Sequence, residues 1–281
     1  MQKLNNGSDV LLFGCSGLLG QYIVYELNKK KINYFSFSRK KPRNVERKKW
    51  YSLHLEEKIN EKNLNKIKQA KFVILNAALK PNLKNKKYSE YRKCNVDFIN
   101  QILILQKKYK YKIIYISSIF KNRQFYKKKK LTDQNVFYLR SKLSAENLIK
   151  QKSKKNRYLI IKTTSIYGYG LDKHKFIQKM IKNKTSNNKY FDKEIYNFIH
   201  AYDIASFIVN SIKKSYYGIR YLVGDYISFE QIYNLINNNK YYYATNIEKK
   251  KSFFYTKSKF NFKRKINLKK GINLLKNNKF L

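Results

Sequence analysis

Short, nearly uninterrupted apolar runs recur along the N-terminal part of the chain, and they limit the folds that it can adopt. Runs of about four apolar residues are typical of parallel strands covered by helices on both faces. The segments between them carry apolar residues at helical spacing. The runs are Val10–Phe13, Tyr34–Phe37, Phe72–Leu75, Ile113–Ile116 and Leu159–Ile161, and two helical stripes are Leu19, Tyr22, Ile23, Leu27 and Val96, Ile99, Ile102, Leu103, Gln106. This alternation predicts an α/β fold with a doubly wound parallel sheet.

The C-terminal part of the chain has a different pattern. Its apolar segments are shorter, and it ends in a tail rich in Lys and Asn. We expect a smaller substrate-binding portion there. The length of 281 residues suits one large domain or two small ones, and an apolar and aromatic content of 43% supports a sizeable core.

The chain carries a formal net charge of +46, and nine of its 63 basic residues are Arg. Nucleic-acid recognition favours Arg and gathers the charge on one face of a domain. Here Lys is spread through almost every segment together with Asn, Ile and Tyr, the residues that A/T-rich codons specify. We therefore attribute the charge mainly to a low-GC genome and expect no specific nucleic-acid partner. A protein this basic attracts anionic substrates in either case.

Several classes of protein are not expected. No stretch of 18 uncharged apolar residues is present, and the N-terminus does not resemble a signal peptide. Two cysteines, Cys15 and Cys94, are too few for a disulfide framework or a cysteine zinc site. We therefore expect a cytoplasmic protein with no membrane association and no bound metal.

The first apolar run leads directly into a glycine-rich loop that precedes a helical stripe. In such a loop, backbone N–H groups and the helix N-terminus hold a pyrophosphate. Gly14 is expected to make the turn, Gly17 to admit the phosphates and Gly20 to let the helix pack on the strand. The spacing is GxxGxxG, and its place in the first βα unit predicts dinucleotide binding by a Rossmann-type fold. The predicted cofactor loop is Gly14, Ser16, Gly17, Leu18, Leu19 and Gly20.

The end of the second run indicates which dinucleotide binds. An acidic residue here would accept hydrogen bonds from the adenosine ribose, but the chain has Ser38-Arg39-Lys40-Lys41. Arg39 can pair with a 2′-phosphate and Ser38 can donate to it, which favours NADP. NAD stays open, since Arg39 is also one more cation in a basic chain.

Ser118, Tyr138 and Lys142 are the candidate catalytic residues. Ser118 ends the run at Ile113–Ile116, and Tyr138 and Lys142 are spaced to share one face of a helix. A tyrosine hydroxyl titrates near pH 10, and an adjacent ammonium favours the phenolate. A serine hydroxyl would hold the substrate oxygen. This set can move the proton of a carbonyl/alcohol pair while hydride moves to or from nicotinamide.

A Tyr-x-x-x-Lys pair alone is weak support in a chain with 26 Tyr and many Lys. Such pairs arise several times by chance, as at Tyr25/Lys29 and Tyr126/Lys130. Only Tyr138/Lys142 combines a helical context with a strand-end Ser at a suitable distance.

Taken in order, these motifs resemble the extended short-chain dehydrogenase/reductase family of NAD(P)-dependent nucleotide-sugar epimerases, dehydratases and reductases. The resemblance runs through nearly the whole chain. It implies that Asn76, Ala77 and Ala78 bind the cofactor and that Tyr167 and His200 join Ser118 in binding the substrate, a nucleotide-linked sugar. It rests on Gly14, Gly17, Gly20, Asn76-Ala77-Ala78, Asn95-Val96, Ser118, Tyr138, Lys142, the segment 161–170 and the segment 197–205.

The resemblance also implies domain boundaries. We expect an NAD(P)-binding Rossmann domain at residues 1–166, with a returning segment near 195–225, and a smaller substrate-binding domain at residues 167–194 and 226–281. For His200, a structural role at a strand end, tied to Asp203 or to the backbone, is the alternative to substrate binding. A homodimer stays open.

Some positions depart from the family's pattern. Lys162 stands where Arg is usual, Tyr169 where Pro is usual, and His54 where an Asp near the adenine is frequent. Ile119 and Phe120 follow Ser118 in place of the Asp-Glu pair of 4,6-dehydratases, and the Cys of GDP-fucose synthase is missing there. The chemistry that remains is reduction of a keto sugar, favoured by the NADP preference, or epimerisation at one carbon with NAD. A non-catalytic dinucleotide-binding protein and a polyanion-binding protein are further alternatives.

Overall fold

The computed structural model describes residues 9–81, 86–119, 132–172, 175–182, 194–252, 255–256 and 262–281. The chain forms two compact units. Unit 1 is drawn from residues 1–162 and 205–220, and unit 2 from residues 163–204 and 221–281.

Strands and helices alternate through most of the chain. Two 3₁₀ turns, Arg47–Lys49 and Lys155–Arg157, and a π-helical turn, Lys93–Asp97, join some of them. In chain order the elements are β1 Val10–Phe13, α1 Leu18–Lys29, β2 Tyr34–Ser38, β3 Trp50–Ser52, α2 Glu61–Ile67, β4 Phe72–Leu75, α3 Tyr88–Arg92, α4 Phe98–Tyr109, β5 Lys112–Ser118, α5 Asp133–Lys152, β6 Tyr158–Thr163, β7 Ser165–Tyr167, α6 Phe176–Ile181, β8 Tyr196–His200, α7 Ala201–Lys214, β9 Gly218–Leu222, β10 Asp225–Ile227, α8 Phe229–Ile236, α9 Asn246–Lys251 and α10 Leu268–Lys276.

Unit 1 is built on a seven-stranded sheet with the order β3-β2-β1-β4-β5-β6-β9. β1 pairs in parallel with β2 and with β4, β2 with β3, and β4 with β5. The chain order reverses between β1 and β4, which is where open α/β sheets bind ligands at the carboxyl ends of their strands. The predicted fold class, a Rossmann-type doubly wound sheet, is confirmed.

Burial explains why the strands of unit 1 are continuous apolar runs in the sequence. Val10, Leu11 and Leu12 are each 0% exposed, because helices cover both faces of the sheet. The helical stripes face the same core, and Tyr22 and Ile23 of α1 are also fully buried. The apolar residues of the strands and those of the helices are therefore buried in the same core.

Unit 2 contains a three-stranded sheet in the order β10-β8-β7, with β8 antiparallel to β10 and parallel to β7. Two carboxylates hold the segment that leads into α10. Asp203 accepts hydrogen bonds from the backbone N–H groups of Lys265 and Ile266, at 2.7 and 3.3 Å. Asp225 accepts one from the N–H of Leu268 at 2.7 Å and pairs with Arg264 at 2.8 Å. The C-terminal helix is thereby fixed to the small sheet.

Candidate active site

The three loop glycines have different structural reasons to be glycine. Gly14 has φ +90°, and a Cβ built on it would lie 2.6 Å from the backbone N of Ala77. A Cβ on Gly20 would lie 2.1 Å from the carbonyl O of Gly14. At Gly17, the nearest atom to such a Cβ is Gly14 O, at 3.8 Å. Packing therefore requires Gly14 and Gly20, whereas Gly17 leaves open space above the loop.

The N-terminus of α1 opens into that space. Gly17 is the N-cap, no side chain caps the helix, and its first turn contains no acidic residue. Backbone N–H groups at such a terminus favour a bound anion, so the site fits a phosphate group. Ser16 is exposed and Leu18 half-buried, but Leu19 is only 4% exposed. Leu19 therefore belongs to the core.

Ser38, at the end of β2, is fully engaged within the fold. Its hydroxyl donates to the carbonyl O of Lys40 at 2.7 Å and accepts from Trp50 Nε1 at 3.0 Å. Cys15 Sγ donates to the same oxygen at 3.1 Å. In this arrangement the hydroxyl has no proton left for a 2′-phosphate. Arg39 beside it is exposed, so the guanidinium is accessible where the hydroxyl is not.

Asn76 joins the end of β4 to the glycine loop. Its backbone N–H donates to Phe13 O at 3.0 Å, and its side-chain Nδ2 donates to Gly14 O at 2.9 Å. Asn76, Ala77 and Ala78 are all half-buried. They line the edge of the sheet next to the loop, where the sequence predicts cofactor contacts.

Lys142 brings α5 against β5, the strand that ends at Ser118. The Lys142 Nζ donates to the carbonyl O of Ile116 at 2.6 Å and lies 4.1 Å from the centre of the Tyr115 ring. Lys142 is 5% exposed, and Tyr138, one helical turn earlier, is half-buried like Ser118. The three predicted residues thus lie on two packed elements of unit 1, Ser118 at the end of β5 and Tyr138 and Lys142 on α5.

Burial dominates the acid–base properties of this pair. It raises the pKa of Tyr138 to about 12 and lowers the pKa of Lys142 to about 7, although the charge of Glu146 raises the latter. Burial causes the Tyr138 shift, and the expected lowering of the phenol pKa by the neighbouring ammonium is not found here. At neutral pH the phenol carries its proton, and the amine titrates.

The residue Asn95 connects α5 to the loop after β4. It lies in the π-helical turn between α3 and α4. Its Oδ1 accepts from the N–H of Leu79 at 2.7 Å, and its Nδ2 donates to Ser141 Oγ at 2.9 Å. Ser141 in turn donates to the carbonyl O of Tyr138 at 2.6 Å. These bonds fix the backbone that carries the candidate catalytic tyrosine.

A buried polar chain behind Lys142 was not predicted from the sequence. Ser117 Oγ donates to Glu146 Oε1 at 2.5 Å, and Glu146 Oε2 pairs with Lys162 Nζ at 2.9 Å. Lys162 is 0% exposed. Lys162 gives one signal in the sequence, because it stands where Arg is usual in the family. Lys is too frequent in this chain for a buried one to be recognised from the sequence.

Two predicted substrate contacts lie in the core of unit 2. Tyr167 is 1% exposed and donates to Asn267 O at 3.3 Å, and its ring centre lies 5.1 Å from that of His200. His200 is also 1% exposed, and its Nδ1 accepts from the N–H of Tyr202 at 3.2 Å. Burial lowers the pKa of His200 to about 4. In this arrangement neither side chain has surface for a substrate, and the backbone alternative for His200 matches the geometry.

Cys15 and Cys94 are buried, and burial raises the pKa of both thiols, for Cys94 to about 12. The pair Tyr25/Lys29 lies on α1, whereas Tyr126, Lys130 and Phe120 lie outside the described residues.

Across the described part of the chain, no group of three or more His, Cys, Asp or Glu side chains is arranged to hold a metal ion. Within the same residues, no helix combines the length and apolarity needed to cross a membrane.

Solved structures share this fold at low sequence identity. The UDP-N-acetylglucosamine 4-epimerase from Bacillus cereus aligns with a TM-score of 0.69 and 17% identity, over 95% of this chain and 97% of that one. The UDP-glucose 4-epimerase from Thermus thermophilus, in complex with NAD, gives a TM-score of 0.67 and 13% identity over 96% and 98%. A hypothetical dTDP-4-dehydrorhamnose reductase from Sulfolobus tokodaii gives 0.60 and 21% over 82% and 81%.

Comparison with curated protein sequences finds no significant match. The sequence profile described as the NAD dependent epimerase/dehydratase family, in contrast, matches residues 10–224. That range includes the glycine loop, the strand end at Ser118 and the Tyr138/Lys142 helix. The chain therefore belongs to the NAD dependent epimerase/dehydratase family.

Proposed function

We propose that this protein is an NAD(P)-dependent oxidoreductase that reduces the carbonyl group of a nucleotide-linked keto sugar. One observation carries the proposal: a single compact unit combines an open glycine loop at the N-terminus of α1 with a half-buried Tyr138 and a buried Lys142 on the helix packed against β5. The first feature fits a dinucleotide, and the second fits proton transfer.

The loop residues are suited to hold the cofactor. The N–H groups at the start of α1 would bind the pyrophosphate, with Gly17 leaving room for it, and Asn76 fixes the loop through Gly14 O. The nicotinamide, when bound, supplies or accepts the hydride. Lys142 would bind the nicotinamide ribose.

The protonation state of the tyrosine favours the reductive direction. A phenol holds its proton at neutral pH, and burial raises the pKa of Tyr138 further, to about 12, so Tyr138 can donate that proton to a carbonyl oxygen that becomes an alcohol. Ser118 would hydrogen-bond that oxygen. A charged Lys142 would stabilise the phenolate that remains.

Arg39 is the residue that supports NADPH. The end of β2 carries no acid for the ribose hydroxyls, and Arg39 is exposed there. Ser38 would have to give up its bond to Lys40 O before it could donate to a 2′-phosphate. The 2′-phosphate contact is therefore assigned to Arg39.

An NAD-dependent nucleotide-sugar epimerase is the second candidate. It is favoured by the family's description and by the epimerase from Thermus thermophilus, whose structure contains NAD. The two reactions differ in what happens to the cofactor: a reductase consumes NADPH in proportion to product, whereas an epimerase regenerates its NAD.

The test is a fluorescence titration with NADPH and NADH, followed by turnover on keto and hydroxy nucleotide sugars. We expect tighter binding of NADPH and its stoichiometric consumption with a keto sugar. Sugar isomerisation without net loss of cofactor would identify the epimerase. Binding that collapses steeply with salt would instead indicate a polyanion-binding protein.

A further inference from the structure

Glu146 lies one helical turn beyond Lys142 on α5, and the proton transfer described above does not use it. Its carboxylate joins three elements: it accepts from Ser117 Oγ on β5 at 2.5 Å and pairs with Lys162 Nζ on β6 at 2.9 Å. Glu146 is 2% exposed. Both oxygens of this buried carboxylate are therefore held by partners inside unit 1.

One buried amine contacts this carboxylate, and a second lies one turn away on the same helix. Lys162 is in direct contact with it and is 0% exposed. Lys142 is 5% exposed, and its closest partners, the Ile116 carbonyl and the Tyr115 ring, are uncharged. Because a buried charge is costly unless it is compensated, the charge on Glu146 bears directly on whether Lys142 stays protonated.

The other titratable groups facing Lys142 contribute no charge at neutral pH. Tyr115 faces it from β5 and Tyr138 from α5, and burial raises the pKa of both phenols. Among the described residues, Glu146 is the charged group that favours the Lys142 ammonium, and the positive charge of Lys162, which is paired with Glu146, would oppose it. Burial and the Glu146 charge act on the Lys142 pKa in opposite directions.

We propose that Glu146 is a positioning residue for this site: held by Ser117 and Lys162, it favours the charged form of the Lys142 amine and ties the end of β5 to α5. The consequence for catalysis rests on the proposed function, but the effect on Lys142 does not. The residue next to Ser117 is Ser118, so the same contact also fixes the strand end that carries the predicted substrate-binding hydroxyl.

The direct test is a pH titration of the Lys142 amine, monitored by NMR of ¹⁵N-lysine-labelled protein and assigned with Lys142→Met. The variant Glu146→Gln/Lys162→Met removes the buried pair together and should lower the Lys142 pKa by about one unit or more. Lys162→Met alone leaves the carboxylate to Lys142 and should raise that pKa. Ser117→Ala removes a hydrogen bond without changing charge and should shift that pKa far less than the double variant does.

Shifts of opposite sign in the first two variants would support the proposal, since a purely structural defect does not reverse its sign. An unchanged Lys142 pKa in the double variant, or a shift upward, would overturn it. If Lys162→Met alone does not fold, the double variant compared with the wild type and with Ser117→Ala still decides between these outcomes.

The pH profile of kcat separates this inference from the proposed function. If the wild type reduces keto sugars, the double variant should lose activity at a lower pH than the wild type, because Lys142 loses its proton earlier. A wild type without turnover would refute the proposed function and leave the titration as the test of Glu146. A shifted titration with an unshifted kcat profile would show that Glu146 does not act in the reaction.

Discussion

A Cβ atom on Gly20 would lie 2.1 Å from the carbonyl oxygen of Gly14. This distance is far below any van der Waals contact, so α1 can pack against the end of β1 only with glycine at this position. The neighbouring Gly17 has no such constraint, which separates the packing role of the loop from its binding role.

The first prediction concerns Gly20→Ala. The added methyl group must displace backbone rather than a flexible side chain, so we expect a loss of about 1–3 kcal/mol in the free energy of unfolding, or failure to fold. Urea denaturation followed by circular dichroism measures this. A variant as stable as the wild type would show that α1 does not pack on β1 as described.

The second prediction concerns Gly17→Ala, the matched control in the same loop. Its Cβ meets nothing closer than 3.8 Å, so the free energy of unfolding should change by less than about 1 kcal/mol. The methyl group would occupy the space proposed for the pyrophosphate, so NADPH affinity should fall at least about tenfold. Unchanged affinity in a fluorescence titration would place the cofactor elsewhere.

The third prediction concerns the choice between NADPH and NADH. Arg39→Ala should weaken NADPH binding by about tenfold, the loss of a charge-assisted contact, and leave NADH binding unchanged. Lys40→Ala removes an adjacent exposed cation and serves as the control for general electrostatic attraction. Equal losses for both cofactors, or for both variants, would contradict the assignment of the 2′-phosphate to Arg39.

The fourth prediction follows from the pKa of Lys142, which burial lowers from 10.5 to about 7. Between these pH values the unfolded chain holds a proton that the folded protein lacks, so this residue makes the free energy of unfolding rise with pH. The rise is at most about 1.4 kcal/mol per pH unit. In urea titrations from pH 7 to 10, the free energy of unfolding of the cofactor-free wild type should therefore rise relative to that of Lys142→Met. Parallel curves would mean that the amine is not buried.

Much of unit 1 could be predicted from the sequence, because its strands are buried on both faces and its helices on one. β1 and β4 have the bounds of their apolar runs. The packing reasons for Gly14 and Gly20 also followed from their place between a strand and a helix. These patterns involve residues close together in the chain, so they can be recognised in a single sequence.

The contacts that could not be predicted join residues distant in the chain. Ser117, Glu146 and Lys162 meet because β5, α5 and β6 are neighbours in space, and in a chain so rich in Lys nothing marks the one that is fully buried. The sequence predicts the Ser38 hydroxyl as a phosphate ligand, but in the structure that hydroxyl donates its proton to the carbonyl O of Lys40. Tyr167 resembles a site residue in sequence but lies in a core.

The fifth prediction tests the central claim that Tyr138 is the proton donor. The measurement is the rate of NADPH oxidation in the presence of a keto nucleotide sugar, for the wild type, Tyr138→Phe and Tyr25→Phe. Tyr25 is the matched control, since it also precedes a lysine by one helical turn, on α1, and its ring lies 5.8 Å from Lys29 Nζ. We predict that Tyr138→Phe loses about 10²- to 10⁴-fold in kcat while binding NADPH as tightly as the wild type, and that Tyr25→Phe keeps full activity. Wild-type turnover by Tyr138→Phe would contradict the account.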